Sequence, residues 1–555
     1  MTQRRATMRG KLRAALMIVG SLGSAVAVAA PSAHRPLVTV AQGVLAGRVD
    51  AQGVRSFKGI PYAEPPIGNL RWRPPVPAGA WKGVRDAGRF GAGCIQPPWP
   101  AKSIYNDNIP KTSENCLFLN VWAPKLARNA PVIVWIYGGG YVFGSTWEPY
   151  YDGRNFAAHG VVFVSMNYRL GALGWLALPA LSAQSPQGVS GNYGLLDQIQ
   201  ALKWVRQNIA AFGGDPHNVT IMGESSGGVS VAYLLASPLA RGLFQKAIGE
   251  SLGIASVPRL TKADHGLPSA EALGTRIEQD LHAANLAALR AMSASKLNDA
   301  ALVAGFRPAG TIDGWALPRQ IVSVFDRREE ARVPVLMGFN AGEIQTLPGF
   351  LPPLPSSGAV YEKEIRARYR DLASEFLRLY PASHVRASMM AAERDAIFGW
   401  SAERIVRDEA ALGEPSYLYF FDHGYRAARE RGLHAFHASE IPFVFGRVGP
   451  EAPKLPNWPV ARGPRNEALS QAMIAYWTSF ARTGVPKAPG QPDWPAFAPH
   501  ERYMHFAARP EVATDPVPGM YRLNEEVLRR RREAGDQQWG TNVGVAAPVL
   551  PPPAH

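Results

Sequence analysis

Residues 218–227 read NVTIMGESSG, and this stretch decides the fold. After Asn218, residues 219–222 (VTIM) are β-branched or apolar, which predicts a buried strand. The glycine-bounded turn GESSG follows at 223–227, and the residues at 228–236 are typical of a helix. Ser225 lies at the centre of that turn. The pattern therefore predicts a strand, a tight turn and a helix in direct succession.

The segments before and after this stretch also predict strands and helices. Residues 132–137 (VIVWIY) and 161–167 (VVFVSMN) predict buried strands of a mainly parallel sheet. Apolar residues recur at helical spacing across 194–212, and residues 258–332 are rich in alanine, leucine and charge, which suits helices packed over the sheet. Strand and helix alternate, so the predicted class is α/β. Because no Ser/Gly-rich linker divides the middle of the chain, we expect one large domain.

The turn at 223–227 fits the pattern G-x-S-x-G in the strand-to-helix context that this pattern requires. Glycines there allow a strained turn that exposes the serine side chain, so Ser225 is predicted to be a nucleophile. Acyl transfer passes through an oxyanion, which backbone N–H groups can stabilise. Three glycines at 138–140 follow a predicted strand, and together with the Ser226 N–H they are candidate donors.

The first 29 and the last 15 residues differ in composition from the rest of the chain. A basic start is followed by an apolar run that ends in small residues at Ala27 and Ala29, which predicts a signal peptide over 1–29 and export to the periplasm or the medium. A membrane anchor is the alternative interpretation of the run, and Arg4-Arg5 leaves twin-arginine export open. The composition at 541–555, with three consecutive prolines, predicts a disordered tail.

Charge and cysteine content narrow the range of partners. The net charge is +15, but its arginines are scattered, so we expect no nucleic acid partner. No later segment has about eighteen uninterrupted apolar residues, so no stable membrane anchor is expected once the leader is removed. Cys94 and Cys116 are the two cysteines. Without a CxxC or a His/Cys cluster, a zinc site or a cysteine nucleophile is disfavoured, and in an exported protein a disulfide is predicted.

Several longer segments resemble the type-B carboxylesterases. The nucleophile signature runs from FGG at 212–214 through VTIM to GESSG, and ENCLFLNV at 114–121 is similar to the family's second signature. The segment FKGIPYAEPPIGNLRWRPP at 57–75 agrees as well, and the resemblance extends from about residue 36 to 506. It implies the α/β-hydrolase fold: a large mixed, mostly parallel sheet flanked by helices, with inserted helical cap segments. The expected catalytic domain is single and spans 30–540.

The resemblance also implies the other site residues. GFNAGE at 338–343 is similar to the family's acid loop, which makes Glu343 the triad acid. HASEIPFVF at 437–445 resembles the catalytic-histidine segment, so His437 is preferred over His434, and Glu440 is interpreted as structural. Backbone N–H groups of Gly139, Gly140 and Ser226 are expected to form the oxyanion hole.

The implied activity is hydrolysis of carboxylic esters through an acyl-enzyme. A small-molecule or lipid-like ester is the expected substrate, and the mechanism needs neither a metal nor an organic cofactor. Choline esters are disfavoured, because the span between the cysteines does not match the choline-binding tryptophan of cholinesterases. Three alternatives stay open: an acyltransferase that uses the same triad, a lipase with interfacial activation, and a non-catalytic binding protein of the same fold.

Overall fold

A mixed β-sheet of eleven strands forms the centre of the fold. The computed structural model describes residues 35–106, 109–264, 266–535, 539–540 and 542–553. The predicted leader at 1–29 lies outside the described residues. Along the described chain the strands are β1 (Leu37–Val40), β2 (Gly43–Ala46), β3 (Arg48–Val49), β4 (Arg55–Pro61), β5 (Val84–Asp86), β6 (Gly93–Cys94), β7 (Thr112–Ser113), β8 (Phe118–Ala123), β9 (Ala130–Ile136), β10 (Val162–Met166), β11 (Gly214–Glu224), β12 (Lys246–Glu250), β13 (Val335–Asn340), β14 (Ser416–Phe421), β15 (Arg502–Phe506) and β16 (Pro510–Thr514).

The large sheet has the strand order β16-β15-β14-β13-β12-β11-β9-β10-β8-β4-β3. Its seven central strands, from β10 to β15 in this order, run parallel to their neighbours. At the edges, β8, β4, β3 and β16 pair antiparallel. The prediction of a large mixed, mostly parallel sheet is therefore confirmed.

The central strands form where the sequence is continuously apolar. Every residue of β9 and of β10 is buried, as expected for parallel strands that are covered on both faces. These two strands correspond to the runs predicted at 132–137 and 161–167. Polar side chains are therefore rare inside the sheet, and they collect where the strands end.

Helices cover the sheet and supply the crossover connections. They are α1 (Arg154–Ala158), α2 (Gly171–Trp175), α3 (Pro179–Ala183), α4 (Tyr193–Asn208), α5 (Ser226–Ala236), α6 (Ala270–Asp280), α7 (Leu286–Ala291), α8 (Ala294–Val303), α9 (Ile321–Asp326), α10 (Gly358–Tyr369), α11 (Ala373–Leu379), α12 (Val385–Arg394), α13 (Trp400–Ala411), α14 (Arg426–Arg429), α15 (Ile441–Val444), α16 (Pro464–Thr483) and α17 (Met520–Glu533). Helix α5 packs on β9, β11 and β12, while α13 packs on β13 and β14. None of the described helices is long and apolar enough to cross a membrane.

The helices predicted between 258 and 332 are present as α6 to α9. Leu286, Leu289 and Leu297 from this region join Trp72 and Leu173 in a second apolar cluster, separate from the main core. Burying these side chains gives the inserted segment a core of its own, since each leucine removed from water contributes roughly 2 kcal/mol. The segment 258–332 thus packs as helices beside the sheet.

Within the tail for which the sequence predicts disorder, 541–555, the structure describes residues 542–553. Val543, Val545 and Leu550 are buried. The Tyr369 hydroxyl donates a hydrogen bond to the carbonyl oxygen of Gly544 at 2.6 Å. The composition of the tail does not indicate this packing, because the contact is made to the end of α10, which is distant in the sequence.

Candidate active site

Ser225 occupies a strained turn between β11 and α5. Its backbone has φ 56° and ψ −125°, a conformation that L-residues rarely adopt. The turn is held because the Ser225 N–H donates to the Glu250 carbonyl oxygen at 2.9 Å and the Val229 N–H donates to the Ser225 carbonyl at 2.9 Å. A Cβ on Gly227 would lie 2.0 Å from the Ile136 carbonyl oxygen, so only glycine fits there.

The three glycines at 138–140 follow β9, the neighbour of β11. A Cβ on Gly138 would lie 2.9 Å from the Ser225 Cβ, so the glycine loop runs directly beside the serine. Gly139 and Gly140 have φ of 106° and 63°, and both line one cavity with Ser225 and Ser226. The predicted oxyanion donors and the predicted nucleophile therefore border the same space.

Glu343 and His437 are brought together by two loops that follow β13 and β14. The Gly342 N–H donates to the Ala435 carbonyl at 2.8 Å, which ties the acid loop to the histidine loop. His437 Nδ1 hydrogen-bonds to Glu343 Oε2 at 2.5 Å, and the Asn340 N–H donates to Glu343 Oε1 at 2.8 Å. Both side chains are buried, and this pairing fixes the orientation of the imidazole.

The other imidazole nitrogen faces a carboxylate that the sequence interpretation left without a role. His437 Nε2 lies 3.1 Å from Glu224 Oε1, and Ser225 Oγ makes no hydrogen bond to His437 among the described residues. Ser225 and His437 nevertheless line the same cavity. Bonds between catalytic groups are often long before substrate binds. The position of Glu224 inside GESSG, next to the serine and at the end of a buried strand, is the signal that could have identified it.

The electrostatics of the site come from carboxyl groups buried around His437. Burial alone would lower the pKa of His437, but the carboxylates of Glu224 and Glu343 outweigh it and raise this pKa to about 9. Burial raises the pKa of Glu224 to about 7, although His437 opposes the shift. The imidazolium is thus strongly stabilised, as a group that must hold a proton during the reaction requires.

His434 and Glu440 lie where the sequence interpretation expected them, apart from this pairing. His434 is 48% exposed, and its Nδ1 is 3.6 Å from Asp422 Oδ1. Glu440 is buried and accepts a hydrogen bond from the Asn340 side-chain amide. Burial raises the pKa of Glu440 to about 8, which favours its neutral form. His437 is therefore the histidine that the structure pairs with Glu343.

The cavity above the serine has a volume of about 840 Å³ and walls rich in aromatic rings. Cys94 and Cys116 form the predicted disulfide, which closes the loop that carries Trp99 and Tyr105. Trp99 stacks on Phe143 with ring centres 3.9 Å apart, and the Tyr105 hydroxyl donates to the His437 carbonyl at 3.0 Å. The loop thus forms part of the wall and also contacts the backbone of His437.

Comparisons with known proteins agree with this architecture. Residues 34–518 match the model of the carboxylesterase family. The chain is 38% identical over 466 residues to a fumonisin B1 esterase of Sphingopyxis macrogoltabida, covering 82% of this chain and 84% of that protein. It is 36% identical over 479 residues to a para-nitrobenzyl esterase of Bacillus subtilis, covering 83% and 92% of the two chains. Among solved structures, a para-nitrobenzyl esterase superposes with a TM-score of 0.75 at 32% identity, covering 88% of this chain and 99% of the other.

Proposed function

The chain belongs to the carboxylesterase family, and on that premise we propose that Ser225, His437 and Glu343 carry out its reaction. The protein is a serine hydrolase that cleaves carboxylic esters. The observation that carries the residue assignment is the 2.5 Å bond between His437 and Glu343, in the cavity that Ser225 lines. A nucleophile, a base and a group that orients the base are the parts that acyl transfer needs.

The first step forms an acyl-enzyme. His437 Nε2 accepts the proton of Ser225 Oγ while Oγ attacks the ester carbonyl carbon, and Glu343 stabilises the resulting imidazolium. The negative charge on the carbonyl oxygen is stabilised by the N–H groups of Gly139, Gly140 and Ser226. The tetrahedral intermediate then collapses, the bond to the alcohol oxygen breaks, and His437 gives its proton to the departing alcohol.

The second step releases the acid. His437 removes a proton from water, the hydroxide oxygen attacks the acyl carbon, and the same N–H groups stabilise the second oxyanion. Collapse of this intermediate breaks the bond to Ser225 Oγ, which recovers its proton from His437. The carboxylic acid leaves and the free enzyme is restored.

Glu224 has a positioning role in this scheme. Its carboxyl oxygen lies 3.1 Å from Nε2, the imidazole nitrogen that accepts the Ser225 proton, so Glu224 helps to hold this nitrogen in the cavity. An adjacent carboxylate also favours the protonated imidazole that forms in both steps. Glu224 therefore acts through His437, and it does not contact the reacting bond in this scheme.

The proposed substrate is an uncharged small-molecule or lipid-like ester with a bulky hydrocarbon part. The cavity walls are rich in aromatic and aliphatic side chains, and His437 is the only basic side chain among the described residues that line it. An apolar wall favours hydrocarbon groups because burying them removes apolar surface from water. A negatively charged acyl group would lie close to the buried carboxylates and would be disfavoured.

Export is part of the proposal. The leader predicted over 1–29 and the disulfide between Cys94 and Cys116 both suit an oxidising compartment, such as the periplasm or the medium. Intact-mass analysis of protein from the periplasm and medium checks this. We expect a chain that begins near residue 30, and a full-length chain confined to the cytosol would contradict export.

The triad assignment is tested by paired substitutions. Ser225→Ala and His437→Ala should each lower kcat by roughly 10⁴ or more for a p-nitrophenyl ester, because these residues act as a unit. Glu343→Gln should lower it by about 10³ or more, since a neutral partner cannot stabilise the imidazolium.

The matched controls are neighbours of the same residue types. His434→Ala should leave kcat within about twofold of the wild type, and Glu440→Gln should act on thermal stability more than on kcat, because neither side chain hydrogen-bonds to the imidazole. Equal losses in His434→Ala and His437→Ala, with both proteins folded by circular dichroism, would contradict the assignment.

A further inference from the structure

The C-terminal segment, which the structure describes at 539–540 and 542–553, reaches the active-site cavity. Trp539 and Gly540 line the same cavity as Ser225 and His437. Both residues lie beyond residue 518, where the family match ends. Trp539 is buried, with 2% of its surface exposed. A large aromatic side chain from outside the matched region is thus part of the cavity wall.

Trp539 is held against the loop that follows β12. The Ser256 N–H donates to the Trp539 carbonyl oxygen at 2.5 Å, and the Trp539 N–H donates to Ser256 Oγ at 2.9 Å. The indole ring also packs on Trp400, with ring centres 4.8 Å apart. Two backbone hydrogen bonds and a ring contact therefore fix the indole in place.

The indole lies between two spaces. On one side is the active-site cavity, and on the other is a smaller cavity that Trp539 lines together with Gln320, Ile321 and Leu528. Ala255 and Ser256 also border both spaces. Trp539, Ala255 and Ser256 therefore form the wall between the two spaces, and removal of the indole would extend the active-site cavity toward α9 and α17.

The rest of the segment anchors this wall. Beyond the hydrogen bond from Tyr369 to Gly544, the Leu550 N–H donates to the Arg368 carbonyl oxygen at 2.7 Å. The Ala546 N–H donates to Glu393 Oε1 at 3.2 Å. These contacts tie residues 544–550 to α10 and α12. The segment thus runs from the cavity wall to two helices that lie outside it.

We propose that the described residues 539–540 and 542–553 belong to a strap that holds Trp539 as an end wall of the substrate cavity, and that Trp539 sets the upper size of the hydrocarbon group the enzyme accepts. The inference rests on the proposed function, because it assigns a specificity residue to the cavity above Ser225. No hydrogen bond or ring contact joins Trp539 to Ser225 or His437 among the described residues, so it acts on which ester fits rather than on bond cleavage.

The experiment compares Trp539→Ala with the wild type on two ester series. One series varies the acyl chain of p-nitrophenyl esters from acetate to dodecanoate, and the other varies the alcohol of butyrate esters. A hydrophobic pocket discriminates by roughly tenfold or more per methylene that does not fit. In at least one series, we expect the ratio of kcat/KM for the longest to the shortest ester to rise about tenfold or more.

The matched control is Trp494→Ala, which removes another buried tryptophan that does not line the cavity. It should lower thermal stability and leave both ratios within about twofold of the wild type. Ratios that are unchanged in Trp539→Ala, or that change equally in Trp494→Ala, would overturn the inference. If Trp539→Ala does not fold, Trp539→Phe and Trp539→Leu give the same test with a smaller cavity change.

Tyr369→Phe tests the strap itself in the full-length chain. It keeps Trp539 and removes the hydrogen bond to Gly544, so we expect both ratios to move in the same direction as in Trp539→Ala, by a smaller factor. Ratios equal to those of the wild type in Tyr369→Phe would overturn the strap. Failure of the proposed triad and failure of this inference give different results. If the triad is wrong, Ser225→Ala still hydrolyses esters. If only this inference is wrong, Trp539→Ala is active and its ratio of kcat/KM for the longest to the shortest ester equals that of the wild type.

Discussion

The two sides of the active-site cavity are built in different ways. On the catalytic side, turns after β9 and β11 approach so closely that a Cβ on Gly138 or Gly227 would lie within 3 Å of neighbouring atoms. On the far side, Trp539 is held by a segment whose anchors, on α10 and α12, lie far from it in the sequence. The catalytic side is fixed by the close approach of backbone turns that follow neighbouring strands, whereas the far side is fixed by hydrogen bonds to helices outside the sheet.

The largest expected effect follows from the steric limits of the catalytic side. In Gly138→Ala the new Cβ would lie 2.8 Å from the Glu224 carbonyl oxygen and 2.9 Å from the Ser225 Cβ, so the serine turn must move. A displacement of about 1 Å can cost roughly 100-fold in rate. Steady-state kinetics on a p-nitrophenyl ester should show a fall in kcat/KM of about 100-fold or more.

The control for that substitution is Gly349→Ala. Gly349 is exposed, and a Cβ there would meet nothing within 4 Å. Its kcat/KM should stay within about twofold of the wild type. Wild-type activity in Gly138→Ala would show that the close approach of the two turns is not needed for catalysis.

A smaller effect is expected from Glu224→Gln, which removes a negative charge beside His437. The carboxylate raises the pKa of His437, and the imidazole must be neutral to accept the serine proton. Removing the charge lowers that pKa, so the acidic limb of the kcat/KM profile should move to lower pH by about one unit or more. A full pH–rate profile of both proteins measures the shift.

Glu409→Gln is the control for the charge effect, since Glu409 is a buried carboxyl group that does not line the cavity. Its acidic limb should coincide with that of the wild type. A limb that stays in place in Glu224→Gln would contradict the role given to Glu224.

The smallest expected effect is a change in thermal stability at Glu393, which accepts a hydrogen bond from the Ala546 N–H on the far side. Burial raises the pKa of Glu393 to about 8 in the folded protein, above the ordinary carboxyl value. The stability that its neutral form contributes is therefore present at low pH and is lost as pH rises from about 4.5 to 8. Glu393→Gln stays neutral, so its Tm relative to the wild type should rise by a few degrees between pH 5 and 8.

The control for Glu393→Gln is a substitution of an exposed glutamate. Glu362→Gln, on the exposed side of α10, should show no pH-dependent change in its Tm difference beyond about one degree, because solvent screens its ion pair with Arg366. A flat Tm difference for Glu393→Gln would contradict the burial of the Glu393 carboxyl group, because an ionised, hydrated carboxylate would keep its ordinary pKa.

The same difference explains what the sequence could predict. The mostly parallel sheet followed from continuously apolar runs such as 132–137, and the turn at Ser225 followed from glycines at 223 and 227. Such signals are local, because each segment carries its own steric requirement. The order of the strands and the pairing of Glu343 with His437 required the resemblance to a family, since loops from different strands have no shared local pattern.

Two features were not predictable from local pattern. The tail was expected to be disordered because its proline-rich composition has no periodicity, but burial of Val543, Val545 and Leu550 depends on surfaces offered by distant helices. The contact between Glu224 and His437 Nε2 depends on the orientation of a side chain at the end of β11. Tertiary contacts decide both, and a single sequence does not display them.

The most direct test of the central claim is to identify the residue that reacts. A fluorophosphonate forms a covalent adduct with an activated serine, and mass spectrometry of proteolytic peptides locates the adduct. We expect one equivalent of label on Ser225, no label on Ser226 or Ser251, which also line the cavity, and no label in Ser225→Ala. Labelling of Ser226 or Ser251 in the wild type, or labelling of Ser225→Ala at an unchanged rate, would contradict the account.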